Sequence, residues 1–499
     1  MPVAVDVSGD TAPASYLFEV TDLVYPHTPL DLYTTLRERG YPFLLESVEK
    51  SGHRARFSFV GADPVAMVTV KNRKISVLAR HHRQEVKEVL APRLAEVAEM
   101  SGRGPILEGD LIEGFDSFDA LRSAVPCCGQ DVPKFDRQVF VGGGMGYLAY
   151  DLVGERLGRR SRSNVPDAQF GIFQTAFLFD HLTEKVHLAA VPLLDGDDPR
   201  EMAARAKEDL LVEPPLSETV PEPDGEVLQA GDVARFEEGV RIAKEHILDG
   251  DIFQVVLSRV AMVKLQDPDP VPLYRRLRKI NPSPYTYIFE FGDLAIVGAS
   301  PETLFSVYRR KLTVNPIAGT CPRGGSPQED DLLARSMLED KKERAEHVML
   351  VDLARNDTRS VSRSGTVTVE DFMSVIRYSH VQHIETTVRG MLREECDQFD
   401  AARAVFPAGT LSGAPKLRAL EIIDDLESEG RGIYGGGVGY FSADGSADFA
   451  ITIRSVLLRD KTALVQAGAG IVADSDPHKE YLETERKMAA MKKALGVAG

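Results

Sequence analysis

Cysteine, clustered positive charge and long apolar runs are all scarce in this chain, and each shortage removes a class of protein. Cysteine occurs four times in 499 residues, as Cys127, Cys128, Cys321 and Cys396. Cys127 and Cys128 are adjacent, which makes them poor partners for each other, and no C-x-x-C or Cys/His spacing marks a zinc site. A cytoplasmic setting is expected. Lys and Arg number 59 against 76 Asp and Glu, for a net charge of −17. A nucleic-acid binder needs basic surface to displace phosphate counterions. No Lys/Arg run offers it, so no nucleic-acid partner is expected, and the acidity reads as a solubility property. No apolar run approaches the ~20 residues of a membrane helix. The opening MPVAVDVSGD has neither a basic n-region nor an apolar h-region, so a signal peptide is not expected either.

What is present is ordinary for a globular protein: 43% hydrophobic and 27% charged residues. The length allows two or three domains at ~100–200 residues each, or one large enzyme core, and needs no disulfide or metal staple. Thr28 and Pro29 start a helix that Gly40 ends. Residues 41–48, 55–61 and 67–78 read as strands, the last a hairpin around Asn72. Residues 173–191 read as two more strands. The Pro/Glu/Gly-rich stretch 213–231 carries no apolar period and reads as a linker or surface loop. It separates an N-terminal part, 1–212, from a C-terminal part, 232–499. The latter starts with a helix to 249 and continues with strands from Ile252, then 285–291, 294–300 and 311–319. A long helix is expected over 327–350 and a strand over 378–390. Helices near 399–406 and 413–428, strands over 449–458 and 462–473, and a helix over 477–495 follow. Strands at hairpin spacing with helices outside predict an α+β fold, and no repeat of solenoid period is present.

Several residues invite chemistry. Glu343 and Glu346 share one helix face, and Glu480 and Glu483 share another with Lys487 a turn on. Two such pairs could hold a magnesium ion, which takes one or two carboxylates and keeps room for water and an anion. The same spacing also suits solvated helix faces. Four glycine-rich stretches, 316–320, 409–415, 434–441 and 466–470, could bring backbone N–H groups to an anion or could simply be turns. His383 lies in a strand pattern with Tyr378, His380 and Glu385. Arg454 is a charge in an apolar strand and needs a buried partner, a substrate carboxylate or an internal acid. Glu302 closes a strand and could act as a general acid if burial raises its pKa.

Taken together the motifs resemble one family. GDIFQVVLSR (250–259), NPSPY (281–285), GASPE (298–302), PIAGT-x-PRG (316–324), AEHVMLVDLARND (345–357), GTLSGAPK (409–416), YGGGVGY (434–440), ITIRS (451–455) and QAGAGIV (466–472) look like the chorismate-utilising enzymes. Among their branches the chain most resembles the anthranilate synthase component I family, densely over 230–495 and more thinly before. The resemblance implies two packed antiparallel sheets surrounded by helices, with the N- and C-terminal parts interleaved. It implies that Glu346 and Glu483 ligate Mg²⁺, supported by Glu343 and Glu480. Gly319, Thr320, Tyr434, Arg454, the 468–470 backbone (Gly468, Ala469, Gly470) and Lys487 would hold chorismate. Glu302 would protonate the departing C4 hydroxyl as ammonia attacks C2, His383 would take the C2 proton so that pyruvate leaves, and Thr410 would orient the site.

Gln254 stands where water-using relatives carry a lysine base, and Ala318 where typical aminodeoxychorismate synthases carry a lysine nucleophile. Both favour anthranilate formation, with aminodeoxychorismate synthase component I the alternative. LLES (44–47) resembles a tryptophan feedback site centred on Ser47 and completed by Pro284, Tyr285 and Thr286; methionine is usual at the last position. Cys321 stands where arginine is common. No G-x-C-x-G nucleophile elbow is present, so the resemblance implies a separate glutamine amidotransferase subunit that delivers ammonia.

Overall fold

Side chains alternate along a strand, and here the alternation sorts the apolar residues into three cores. The structure, a computed structural model, describes residues 27–47, 56–81, 83–101, 105–125, 135–192, 197–210, 225–229, 231–378 and 381–497, with positions 127, 212 and 223. The opening segment, Val48, Cys128, His380 and much of 213–231 lie outside the described residues. Phe43, Leu45, Tyr287, Phe289 and Ile296 enter one core, whereas their neighbours Leu44, Ile288 and Val297 enter another. The first core lies between two antiparallel sheets, one 11-stranded and one 13-stranded. The second packs the 11-stranded sheet against Pro29–Leu36, Pro199–Asp209, Pro270–Ile280 and Pro477–Ala494. A third core covers the outer side of the 13-stranded sheet with Arg83–Ala95, Ser117–Ala124, Lys341–Val361 and Gln398–Val405, and continues onto one end of the 11-stranded sheet under Val233–Leu248 and Lys416–Leu426. The result is α+β in four layers: helices, sheet, sheet, helices.

The two parts of the chain interleave in both sheets. Phe43–Glu46 pairs with Tyr285–Phe291, and Gly143–Leu148 pairs with Gly437–Ser442. Within the stretch read as a linker, Glu226–Gln229 forms an edge strand beside Gln254–Lys264. The long helix expected over 327–350 is two, Pro327–Glu339 and Lys341–Val361, because the Asp340 carboxylate caps the second through the N–H groups of Lys342 and Glu343. The strand expected over 449–458 is also two. Ala447–Ile451 belongs to the 13-stranded sheet and Ser455–Arg459 to the 11-stranded one. The chain changes sheet at Arg454, whose φ is +53°.

The halves also repeat each other. Pro29-x-x-Leu32-Tyr33-x-x-Leu36-Arg37 matches Pro270-x-x-Leu273-Tyr274-x-x-Leu277-Arg278, and Val60-Gly61-Ala62-Asp63-Pro64 matches Val297-Gly298-Ala299-Ser300-Pro301. Asp116-x-Phe118-Asp119-Ala120-x-Arg122 matches Asp397-x-Phe399-Asp400-Ala401-x-Arg403. Matched residues meet across an approximate two-fold axis: Leu44 pairs with Ile288, and Gly146 with Gly439. Ion pairs are exchanged reciprocally across it, Arg37 with Glu290 and Arg278 with Glu46, Arg122 with Asp397 and Arg403 with Asp116. No helix among the described residues is long and apolar enough to cross a membrane.

Candidate active site

Two chain crossings between the sheets build the centre of the site. Leu294–Ser300 lies in the 11-stranded sheet and Thr303–Tyr308 in the other, so Pro301 and Glu302 form one crossing; Arg454 lies in the second. The crossings are tied together: Ala299 N–H donates to Arg454 O at 3.1 Å, and Ile451 N–H donates to Glu302 O at 3.0 Å. In the first half the matching crossing carries Val65 after Pro64, a side chain with no proton to give. The repeat therefore provides one acid, not two.

A cavity of about 690 Å³ opens at this point. Glu302, His383, Thr410, Gly319, Thr320, Tyr434, Arg454, Gly468, Gly470, Lys487, Glu343, Glu346, Glu480 and Glu483 all line it. Ala469 does not. It alternates to the other face of its strand and is buried in the outer core, so of 468–470 only the two glycines present atoms to the cavity. Their lack of a side chain is required: a Cβ on Gly468 would stand 2.7 Å from Leu257 O and 2.9 Å from the Tyr434 hydroxyl. At Gly319 the strand bulges with φ +69°, which glycine accepts at no steric cost.

Burial pushes the Glu302 carboxyl above its ordinary pKa, opposed by the Arg454 charge and by Thr410. Thr410 Oγ1 donates to Glu302 Oε2 at 3.2 Å, which leaves Oε1 to carry a proton. His383 Nδ1 lies 3.0 Å from Gly319 O and 3.0 Å from Thr320 Oγ1. A carbonyl only accepts, so Nδ1 bears the hydrogen and Nε2 holds the lone pair. Burial also pushes the His383 pKa down. Both shifts favour uncharged forms, a proton on Glu302 and a free lone pair on His383, as an acid–base pair requires.

The opposite side is acidic. Glu343 and Glu346 come from the helix Lys341–Val361, and Glu480 and Glu483 from Pro477–Ala494. Burial, then the charges of Glu346 and Asp340 and that of Glu483 across the cavity, push the Glu343 pKa up; burial and Glu483 do the same to Glu480. Glu483 Oε1 is 2.7 Å from Lys487 Nζ, which also donates to Gly468 O at 2.9 Å. Gln254 Nε2 donates to Glu346 Oε1 at 3.1 Å. Among the described residues no three acidic, histidine or cysteine side chains converge to enclose an ion by themselves. Mutually repelling carboxylates on two facing helices nevertheless suit a magnesium ion that takes one or two of them and completes its shell with water and an anionic ligand. Gln254, Lys342 and Arg486 also line this side. The last two carry no motif; their only signal is their spacing on the helices that bear the glutamates.

A second cavity, about 310 Å³, lies beside the first and shares Pro284, Pro301 and Ile317 with it. Ser47, Pro284 and Tyr285 line it as expected. Thr286 does not: strand alternation turns it to the opposite face, where it is fully buried and its hydroxyl faces Ser283 O at 3.4 Å. The Tyr285 hydroxyl donates to Asp448 Oδ1 at 2.8 Å. Asp448, Glu385, Arg137 and Arg389 put charges of both signs in the lining.

Stacked antiparallel sheets with an acid–base cavity at the crossings define an α+β enzyme. The chain belongs to the chorismate binding enzyme family, whose model matches residues 44–493. It is 46% identical to anthranilate synthase component 1 of Haloferax volcanii, covering 98% of this chain and 96% of that one. It is 44% identical to the protein of the same name from Thermococcus kodakarensis, over 95% and 98% of the two chains. The crystal structure of anthranilate synthase component I from Streptococcus pneumoniae TIGR4 superposes with a TM-score of 0.73 at 34% identity, over 88% of this chain and 93% of that chain.

Proposed function

We propose that the chain converts chorismate and ammonia to anthranilate and pyruvate, the first step of tryptophan synthesis, in the cytoplasm. The observation that carries this reading is the acid Glu302 and the base His383, both half-buried, in one cavity, each biased toward the form the reaction uses. Glu302 gives its proton to the C4 hydroxyl, which leaves as water while ammonia bonds to C2, and the new ammonium group returns a proton to Glu302. His383 Nε2 then takes the C2 proton, the ring becomes aromatic, and the enolpyruvyl group takes up a proton and leaves as pyruvate. Arg454 and Lys487 face the substrate's carboxylates, and Tyr434, Gly319 and Thr320 complete the walls. Glu346 and Glu483 would hold Mg²⁺, with Glu343 and Glu480 in support; bound there, it supplies positive charge to the ring carboxylate.

Gln254 supports ammonia over water as the nucleophile. Its Nε2 is committed to Glu346, and its buried Oε1 has no hydrogen-bond partner. That oxygen can accept an N–H hydrogen bond but cannot take a proton from water. Ala318, also in the lining, offers no amine. Ammonia would come from a separate glutamine amidotransferase subunit, in keeping with the relatives' designation as component 1.

Tryptophan would occupy the second cavity, its ammonium toward Asp448 and Glu385, its carboxylate toward Arg137 and Arg389. The shared wall at Pro284 and Pro301 would carry the effect to Glu302. The test is to mix the purified chain with chorismate, Mg²⁺ and ammonium and to follow anthranilate and pyruvate together. Equal rates are expected. Loss of chorismate without pyruvate would shift the reading to aminodeoxychorismate synthase, and no consumption would overturn it.

A further inference from the structure

The acid Glu302 depends on Thr410, and Thr410 sits in a short turn, Gly409–Leu411, with no side-chain cap of its own. Besides the Ser412 hydroxyl on Ala408 O and the Val256 N–H on Ser412 O, a buried cation, Arg431, braces that turn. The Arg431 side chain is 1% exposed. It spends two nitrogens on Glu427, Nε on Oε2 and Nη2 on Oε1, both at 2.7 Å. Two further N–H groups go to backbone: one of Nη1 to Leu411 O at 2.7 Å and one of Nη2 to Val256 O at 2.6 Å. Leu411 follows Thr410, and Val256 lies on the strand that floors the cavity. Glu427 holds the same strand through the Oε1 that also meets Arg431, accepting from Ser258 N–H at 2.7 Å and Ser258 Oγ at 3.0 Å. The guanidinium also stacks over Tyr150, 4.3 Å from the ring centre.

We infer that Arg431 is a positioning residue for the reaction. Braced by Glu427, it fixes the Thr410 turn against the cavity floor, so that Thr410 keeps its hydrogen bond to Glu302. Only a planar fork reaches three acceptors in these directions, so lysine, with one nitrogen, cannot replace it. The inference rests on the chorismate reading, and one set of experiments separates the two.

Arg431→Lys, Thr410→Ala and the double variant are compared with wild type by ammonium-dependent turnover, with folding checked by thermal unfolding. Arg431→Lys is expected to lower kcat ~10-fold or more with a smaller change in the chorismate KM. The double variant is expected to be no slower than Thr410→Ala alone, because both remove one interaction. The basic limb of the kcat profile should move to higher pH in both single variants, since each frees Glu302 from the hydrogen bond that favours its ionised form. Arg454, Lys487 and Glu385, the other charges acting on Glu302, are untouched. Losses that multiply in the double variant, or an unmoved basic limb, would overturn the inference. If Arg431→Lys does not fold, Glu427→Gln, which weakens the brace, is measured in the same cycle with the same expectations. An inactive wild type would instead overturn the chorismate reading.

Discussion

At the scale of the residue, the environments of Glu302 and His383 decide their protonation. Replacing Glu302 by Gln keeps a hydrogen-bonding amide beside Thr410 but removes the transferable proton. We expect kcat to fall ~10²–10⁴-fold, the usual worth of a positioned acid, with a much smaller change in KM; steady-state kinetics checks it. The pH profile, measured at fixed free ammonia, should fall on the acidic side as His383 gains a proton and on the basic side as Glu302 loses one. Burial moves the first pKa down and the second up, and both shifts raise the population of the working pair. Replacing Glu483 by Gln should raise the Mg²⁺ concentration needed for half-maximal rate by ~10-fold or more, and an unchanged titration curve would remove Glu483 from the metal site. The cavity's acid, base and glycine residues lie in motifs and strand patterns of the sequence, whereas Lys342 and Arg486 on its wall and Arg137, Arg389 and Asp448 in the second cavity do not. Ala469 and Thr286 fall on the wrong face of their strands, and no motif string records which face is which.

At the scale of the element, most helices and strands follow from local signals. Thr28 and Pro29 start their helix with a complete capping box, and the Asn72–Arg73 turn closes its hairpin with both residues at positive φ. Two misread runs share one cause: an apolar or helical run looks continuous in sequence when a single residue redirects it. Asp340 splits one helix by capping the next, and Arg454 divides one strand between two sheets. The strand Gly143–Leu148 is rich in glycine, and a Cβ at Gly146 would stand 2.0 Å from Gln169 O on the neighbouring strand. Close strand contact, not flexibility, selects glycine there. The same logic applies in the cavity. Gly468→Ala should cost activity more than stability, because the strand can ease away from Leu257 O only by moving the wall that holds Tyr434 and Lys487. Parallel measurement of kcat and of the unfolding midpoint tests this, and full activity would refute it.

At the scale of the whole molecule, the chain is two related halves folded about an approximate two-fold axis, and only the second half places an acid at its crossing between the sheets. The repeat is visible in the sequence once the pairs are aligned, as at Val60–Pro64 and Val297–Pro301, but its spacing is far longer than any solenoid unit and its motifs are short. The second cavity sits between strands of both halves, which is where a ligand can act on the crossing that carries Glu302. Ser47→Ala should weaken tryptophan inhibition by several-fold. The chain contains no tryptophan, so indole-selective fluorescence reports the bound ligand alone, and inhibition and binding can be measured side by side. Unchanged inhibition in that variant would move the feedback site elsewhere.

The most direct test of the acid–base assignment is product analysis of His383→Ala with chorismate, Mg²⁺ and ammonium. If Glu302 drives amination and His383 drives elimination, chorismate should be consumed while an aminated product that still carries its enolpyruvyl group accumulates, with little pyruvate or anthranilate. Anthranilate and pyruvate at the wild-type rate would contradict the assignment.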